Sequence, residues 1–92
     1  MNIYKFKEDE VLREVAEYLE KTYKSHYVDN NNRQLMEDIV DEGDAIPFCR
    51  WNSIKYLRRY GKKNGFNRDD LLKSLHYCII MLGVTKDNKP HN

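Results

Sequence analysis

Residues 48–63 read Phe48-Cys49-Arg50-Trp51-Asn52-Ser53-Ile54-Lys55-Tyr56-Leu57-Arg58-Arg59-Tyr60-Gly61-Lys62-Lys63. Pro47 stands just before the stretch and Gly61 near its end, the order in which a helix is opened and closed. Wound at roughly 100° per residue, it places Cys49, Ser53, Ile54, Leu57 and Tyr60 on one arc that can pack on a core. Phe48, Trp51, Asn52, Lys55, Tyr56, Arg58, Arg59 and Lys62 spread over the other side. That second arc mixes cations with aromatic rings, a mixture that holds phosphate and stacks nucleobases. A solvated basic helix end has the same composition, so the rest of the chain has to decide.

The spacing predicts this helix over Phe48–Tyr60, with Gly61 in the left-handed position and Lys62 and Lys63 at its negative end. Downstream, Gly65-Phe66-Asn67 turns the chain. Asn67 caps a fourth helix, with Asp70 at its third position as in an amide version of the capping box. Leu71, Leu72, Leu75, Cys78, Ile79 and Leu82 form that helix's apolar stripe. Gly83 is expected to stop it, and 85–92 form a polar tail, expected to be mobile.

Upstream, Asp44 to Pro47 reads as a connector, because Pro47 disfavours helix at Ile46. A short second helix fits Arg33–Glu42, with Leu35, Met36, Ile39 and Val40 inward and Gly43 as its stop. Ser25 to Asn32 reads as a loop. A first helix fits Glu8–Lys24, where Val11, Leu12, Val15, Ala16, Leu19 and Tyr23 make a stripe. Glu8, Asp9 and Glu10 sit in its first turn, at the positive end of the helix dipole. Residues 1–7 are expected to form an arm that packs Ile3 or Phe6 at the entry of that helix. The expected fold is all-α: a compact bundle of about four helices, one domain over residues 1–84.

Ninety-two residues make a core small enough that folding buries only about 60–65% of the chain's surface. With 40% hydrophobic and 34% charged residues, the composition is that of a globular chain. A core so thin gains from self-association, so a homo-oligomer is expected, with Trp51, Arg58 and Ile80 as its contact residues. Net charge is +1, from 16 Lys and Arg against 15 Asp and Glu. A duplex-DNA binder of this size carries a clearer cationic excess, which ranks nucleic acid last among partners. The charge is uneven, however: residues 8–44 are largely acidic, whereas 50–63 carry cations and no acid.

Cys49 and Cys78 fall at apolar helical positions outside any C-x-x-C spacing, and His26, His76 and His91 have no zinc-like register. Free thiols are expected, and no metal or cofactor. The chain has neither an apolar run of membrane-spanning length nor a signal-peptide core, which points to a cytoplasmic protein without a membrane partner.

Four groups of residues carry candidate chemistry. Phe48, Asn52, Lys55, Tyr56, Arg59 and Lys62 form one continuous strip, offering a planar guanidinium, mobile ammonium groups, rings and an amide. His76 and Tyr77, with Lys73 and Ile80, share the flank of the fourth helix that the leucines leave open. The same flank would also serve to pack on a neighbouring helix or subunit. Tyr23, Lys24, His26 and Tyr27 follow the first helix and could cap a base, or form an ordinary aromatic turn. Glu17-x-x-Glu20 with Asp38-x-x-Asp41 resembles the acid pairs with which all-α nucleotide pyrophosphatases hold Mg²⁺. That spacing is common in a chain with 15 acids.

Asn52-Ser-Ile-Lys55-Tyr56-Leu-Arg-Arg59-Tyr-Gly61-Lys62-Lys63, followed by Asp70-Leu71-Leu-Lys73-Ser-Leu-His76-Tyr77, resembles a small phage-encoded helical family of unknown function, loosely labelled nucleotide-kinase-like. The family's pattern reads N-x-x-K-Y-x-x-R-x-G-K-K, then D-L-x-K-A-x-H-Y. Ser74 stands at the alanine position. Thr22-Tyr23-x-x-His26-Tyr27 is similar to the front of a cyanophage-type branch. There is no Walker-type phosphate loop to supply phosphoryl transfer. The resemblance implies a phage protein in the cytoplasm of an infected bacterium, with a cationic, aromatic surface. In size and site chemistry it is similar to small oligomeric phage proteins that sequester the nucleotide signals of bacterial immunity.

The reading is then a non-enzymatic, anti-defence sponge for an anionic nucleotide, such as a cyclic or ADP-ribose-type messenger. Arg59, Lys55 and Lys62 would hold phosphate; Tyr56, Tyr27 or Trp51 would stack the base; Asn52 and His76 would read polar edges, beside Tyr77 and Tyr23. The alternatives are Mg²⁺-dependent pyrophosphate hydrolysis through Glu17, Glu20, Asp38 and Asp41, or an accessory protein that binds nucleic acid.

Overall fold

From Glu8 to Glu42 the chain carries no glycine or proline, and helix fills almost all of it. The computed structural model describes residues 3–27 and 30–86, without the side chains of residues 25–34. Its elements are α1 (Glu8–Tyr27), α2 (Asn30–Asp41), α3 (Ala45–Arg59) and α4 (Arg68–Val84), with no strand among the described residues. The all-α expectation with four helices holds. The chain divides into two units, Met1–Arg33 and Gln34–Asn92.

In the first unit, the Lys7 carbonyl accepts the Val11 N–H at 2.9 Å to start α1, with Lys7 itself at φ 59°. The expected packing of the arm is not formed, since Ile3 and Phe6 are 77% and 81% exposed. What holds the entry is polar: the Phe6 N–H donates to Glu8 Oε1 at 2.7 Å. On the predicted stripe Val15 is buried and Leu19 half-buried, while Val11, Leu12 and Tyr23 are exposed.

The predicted loop over Ser25–Asn32 is mostly helix. α1 continues through Tyr27 and α2 begins at Asn30, because nothing in this stretch forbids helical backbone as glycine or proline would. Val28 and Asp29, and the tail from residue 87 onward with His91, lie outside the described residues.

The second unit shows how its turns are built. α2 ends with Gly43 at φ 82°, where the Gly43 N–H meets the Val40 carbonyl and the Asp44 N–H meets the Ile39 carbonyl, each at 3.0 Å. This is the paired 5→2 and 6→1 closure of a left-handed helix end. α3 begins three residues earlier than predicted, at Ala45. Pro47 therefore sits inside the first turn, where helical N–H groups have no intrahelical partner and a missing one costs nothing.

α3 ends as expected. Tyr60 is its C-cap and Gly61 takes φ 83°. Asn64 and Gly65 also take positive φ, and the Gly61 N–H donates to the Gly65 carbonyl at 2.9 Å. Asn67 then caps α4, its side chain accepting from the Asp69 N–H at 3.0 Å. Gly83 does not stop α4. The helix runs to Val84, and the Thr85 hydroxyl closes it on the Met81 carbonyl at 2.8 Å.

α3 and α4 pack on each other through small side chains. Ala45, Cys49 and Ser53, each four residues apart, are the buried positions of α3; Asp70 and Ser74, with the same spacing, are those of α4. Small residues at this interval let two helix backbones approach closely. Ser53 Oγ lies 2.8 Å from Ser74 Oγ, and each hydroxyl also reaches the other residue's carbonyl, at 3.0 Å and 2.9 Å. Cys78 Sγ is 3.3 Å from Ser53 Oγ.

The predicted core is corrected here. The stripe of α4 is only partly covered: Cys78 meets Ser53 of α3 and Leu72 and Ile79 are half-buried, while Leu71, Leu75 and Leu82 stay exposed, Leu82 at 70%. Leu57 of α3 is exposed as well. Hydrogen bonds between small polar side chains fix this pairing, and large apolar side chains are left over.

Candidate functional site

Packing α3 on α4 along Ser53 and Ser74 brings the residues three positions later, Tyr56 and Tyr77, onto one flank. Their rings stack at 6.2 Å between centroids with planes 10° apart. Phe48, two helical turns before Tyr56, meets Tyr77 edge-on at 6.0 Å and 71°. His76 lies beside the same tyrosine at 6.4 Å. Of the residues the sequence singles out, Phe48, Tyr56, His76 and Tyr77 meet in one ring cluster of the second unit.

Two cations converge on this surface. Lys55 Nζ lies 4.7 Å from the Tyr56 ring centroid, and Lys73 Nζ approaches the same ring from α4 at 5.4 Å. Both distances are within reach of the ring's negative face. One turn further along α3, Arg59 Nε stands 3.5 Å from Asp70 Oδ1, across the start of α4. Asp70 is only 3% exposed. The group therefore sets three cations against one enclosed acid. Asn52 donates one amide hydrogen to the Phe48 carbonyl at 2.8 Å.

Other expected residues lie elsewhere. Lys62 is exposed in the turn after α3, where its N–H donates to the Arg59 carbonyl at 3.0 Å. Trp51 and Arg58 are exposed and Ile80 is half-buried. Tyr23, His26 and Tyr27 belong to α1 in the other unit, on helix and not in a loop. The side chains of His26 and Tyr27 lie outside the described residues.

The carboxylates of the pyrophosphatase alternative, Glu17, Glu20, Asp38 and Asp41, are all exposed, and Glu20 pairs with Lys24 at 3.1 Å. Among the described residues no three His, Cys, Asp or Glu side chains gather as a metal ion requires.

Two residues of the cluster were not singled out as site residues by their sequence. Spacing along α4 sets Lys73 on the flank of Tyr77, and the packing of the helices then carries its ammonium to the Tyr56 ring. Asp70 has the sequence position of a capping acid, yet its carboxylate faces Arg59 across the turn between α3 and α4. Opposite charges at the end of one helix and the start of the next were the available signal.

Cys49, fully enclosed between the helices, has its thiol pKa raised, first by burial and then by the neighbouring Cys78. A buried thiol of this kind is a poor nucleophile, so the cysteines belong to the packing and not to the site.

No curated protein and no solved structure matches the chain. Residues 21–78 do match a family described as protein of unknown function, DUF3310. No helix among the described residues is long and apolar enough to cross a membrane. Because the matched segment covers more than half of the chain and takes in the whole cluster from Phe48 to Tyr77, this protein belongs to the DUF3310 family.

Proposed function

We propose that this DUF3310 member is a phage-encoded, non-enzymatic protein that binds and sequesters an anionic nucleotide, acting as a homo-oligomer of all-helical subunits. One observation carries the reading: Lys55 and Lys73, from two helices, both bring an ammonium group to the Tyr56 ring, against which Tyr77 is stacked. Rings that can stack a base and cations that can neutralise phosphate are the two halves of nucleotide recognition. With Arg59 added, Lys55 and Lys73 supply a concentration of positive charge that suits a ligand with at least two negative charges. A cyclic dinucleotide or an ADP-ribose-type signal meets that description. Leu71, Leu75, Leu82 and Trp51 are exposed on the second unit, apolar side chains that association of copies would cover.

Isothermal titration with ADP-ribose, followed by chromatography of the ligand after incubation with Mg²⁺, tests the reading. Saturable binding and intact ligand are expected. The combined Lys55→Gln and Lys73→Gln variant should lose affinity while its circular dichroism stays unchanged. Absence of binding to both ADP-ribose and a cyclic dinucleotide overturns the proposal, and metal-dependent cleavage moves the protein to the pyrophosphatase alternative.

A further inference from the structure

The contact between Arg59 and Asp70 is incomplete in an informative way. Asp70 is 3% exposed, and Oδ2 is enclosed without a hydrogen-bond partner. Its Oδ1 meets Arg59 Nε at 3.5 Å, close enough for an ion pair but not aligned as a hydrogen bond. Burying a carboxylate with one oxygen unbonded is costly, and the nearby guanidinium offsets only part of that cost. Meanwhile the Arg59 side chain remains 35% exposed although Nε itself is enclosed. Asp70 thus grips the inner edge of the guanidinium and leaves the terminal nitrogens as the part that solvent reaches.

A guanidinium presents two parallel donors to a phosphate through those outer nitrogens, provided that its plane is held. Arg59 lies four residues after Lys55 and three after Tyr56, and Asp70 three before Lys73, so the pair forms one end of the cationic cluster on both helices. We propose that Asp70 is a positioning residue: it orients Arg59 so that its terminal nitrogens bind a phosphate of the ligand. The inference rests on the nucleotide-binding reading. It assigns to an acid the task of strengthening an anion site, by fixing the geometry of a cation that otherwise samples many rotamers.

A double-mutant cycle on the full chain separates positioning from simple structural support. ADP-ribose is the probe, followed by isothermal titration in wild type, Asp70→Asn, Arg59→Lys and the combined variant. Asparagine keeps the shape of Asp70 and removes its charge; lysine keeps the charge of Arg59 but has no planar edge to be held. Asp70→Asn is expected to weaken binding about tenfold with Arg59 present, and by less than about twofold with lysine at position 59.

Equal losses in both backgrounds would overturn the assignment while leaving nucleotide binding standing. No binding by wild type would instead remove the underlying reading, and this one with it. If Asp70→Asn does not fold, Asp70→Glu replaces it in the cycle. It keeps the charge but displaces the carboxylate by one methylene, and the same background dependence is expected.

Discussion

Ser53 and Ser74 face each other where α3 crosses α4, their hydroxyl oxygens 2.8 Å apart and each also within reach of the other's backbone carbonyl. Because each hydroxyl has a carbonyl acceptor of its own, removing one leaves the other satisfied. Ser74→Ala is therefore expected to cost only about 1 kcal/mol, the net worth of an ordinary hydrogen bond. Ser74→Leu should cost about 1–3 kcal/mol or more, since extra methylenes at a close helix contact must push the backbones apart. Urea unfolding followed by circular dichroism checks both, and a Ser74→Leu variant as stable as Ser74→Ala would show that the contact is loose.

Gly61 is held at φ 83°, and a Cβ built there would lie 2.7 Å from Cε1 of Phe66. The ring is exposed and can swing aside, at the loss of its edge-on contact with Tyr60 at 5.4 Å. The backbone cannot escape so simply, because a left-handed conformation costs an L-residue about 1–2 kcal/mol. Gly61→Ala should thus lower stability by about that amount, and most of the loss should persist when Phe66 is also changed to Ala. Thermal melts of the single and double variants measure the split; full rescue by Phe66→Ala would assign the cost to the ring alone.

Burial, aided by Cys78, raises the pKa of Cys49 in the folded protein above the ordinary value of 9.0. The sign follows from proton binding. Above the ordinary thiol pKa the unfolded chain has released its proton while the folded chain still holds it, so stability falls as pH rises through that range. Below it the contribution is fully present. The stability of wild type relative to Cys49→Ala should therefore decrease between pH 8 and pH 10, as read from urea midpoints at each pH. A constant difference would show that the thiol ionises equally in both states. Cys49 should also resist iodoacetamide in the folded protein at pH 8 and react once urea is added.

Helix content was legible because it depends on local signals: Gly43 and Gly61 occupy the left-handed positions, and Asn67 caps α4. Boundaries failed where a signal was right but its position in the turn was not. Pro47 marks the start of α3 without fixing the first helical residue, because a proline is tolerated at the first turn as well as before it. The candidate surface was half legible. Lys55, Tyr56, Arg59, His76 and Tyr77 share helical faces that periodicity reveals, whereas the approach of Lys73 to Tyr56 and of Asp70 to Arg59 depends on how two helices cross. The leucine stripe misled for the same reason. Periodicity places Cys49 and Ser53 on the packing arc of α3, but only the crossing shows that Ser74, and not Leu71 or Leu75, meets it from α4.

That half-covered stripe makes its own prediction. Leu72, Leu75, Ile79 and Leu82 repeat at intervals of three, four and three along α4, the spacing with which helices pack side by side. Leu75 and Leu82 are exposed. Wild type is expected to sediment as an oligomer, and the combined Leu75→Lys and Leu82→Lys variant as a monomer that keeps its helical spectrum. Sedimentation velocity at high micromolar concentration decides, and a monomeric wild type would leave this face without a role in self-association.

The two halves of the proposed nucleotide site should also be separable by ligand. Tyr77 stacks on Tyr56 and meets Phe48, so its replacement by leucine removes aromatic surface without removing charge. Stacking one base on an aromatic ring is worth about 1–3 kcal/mol, so Tyr77→Leu should weaken ADP-ribose binding by about fivefold or more. Inorganic pyrophosphate, which has no base, should bind this variant as it binds wild type. Lys55→Gln removes charge and leaves the tyrosine pair in place, so it should weaken both ligands. Its binding should also respond less to added salt, because the charges lost are partly exposed and screened. Competition titrations with the two ligands at two salt concentrations test this. If both variants weaken both ligands equally, rings and cations do not serve separate parts of one ligand, and the residues around Tyr56 form a structural cluster and not a nucleotide site.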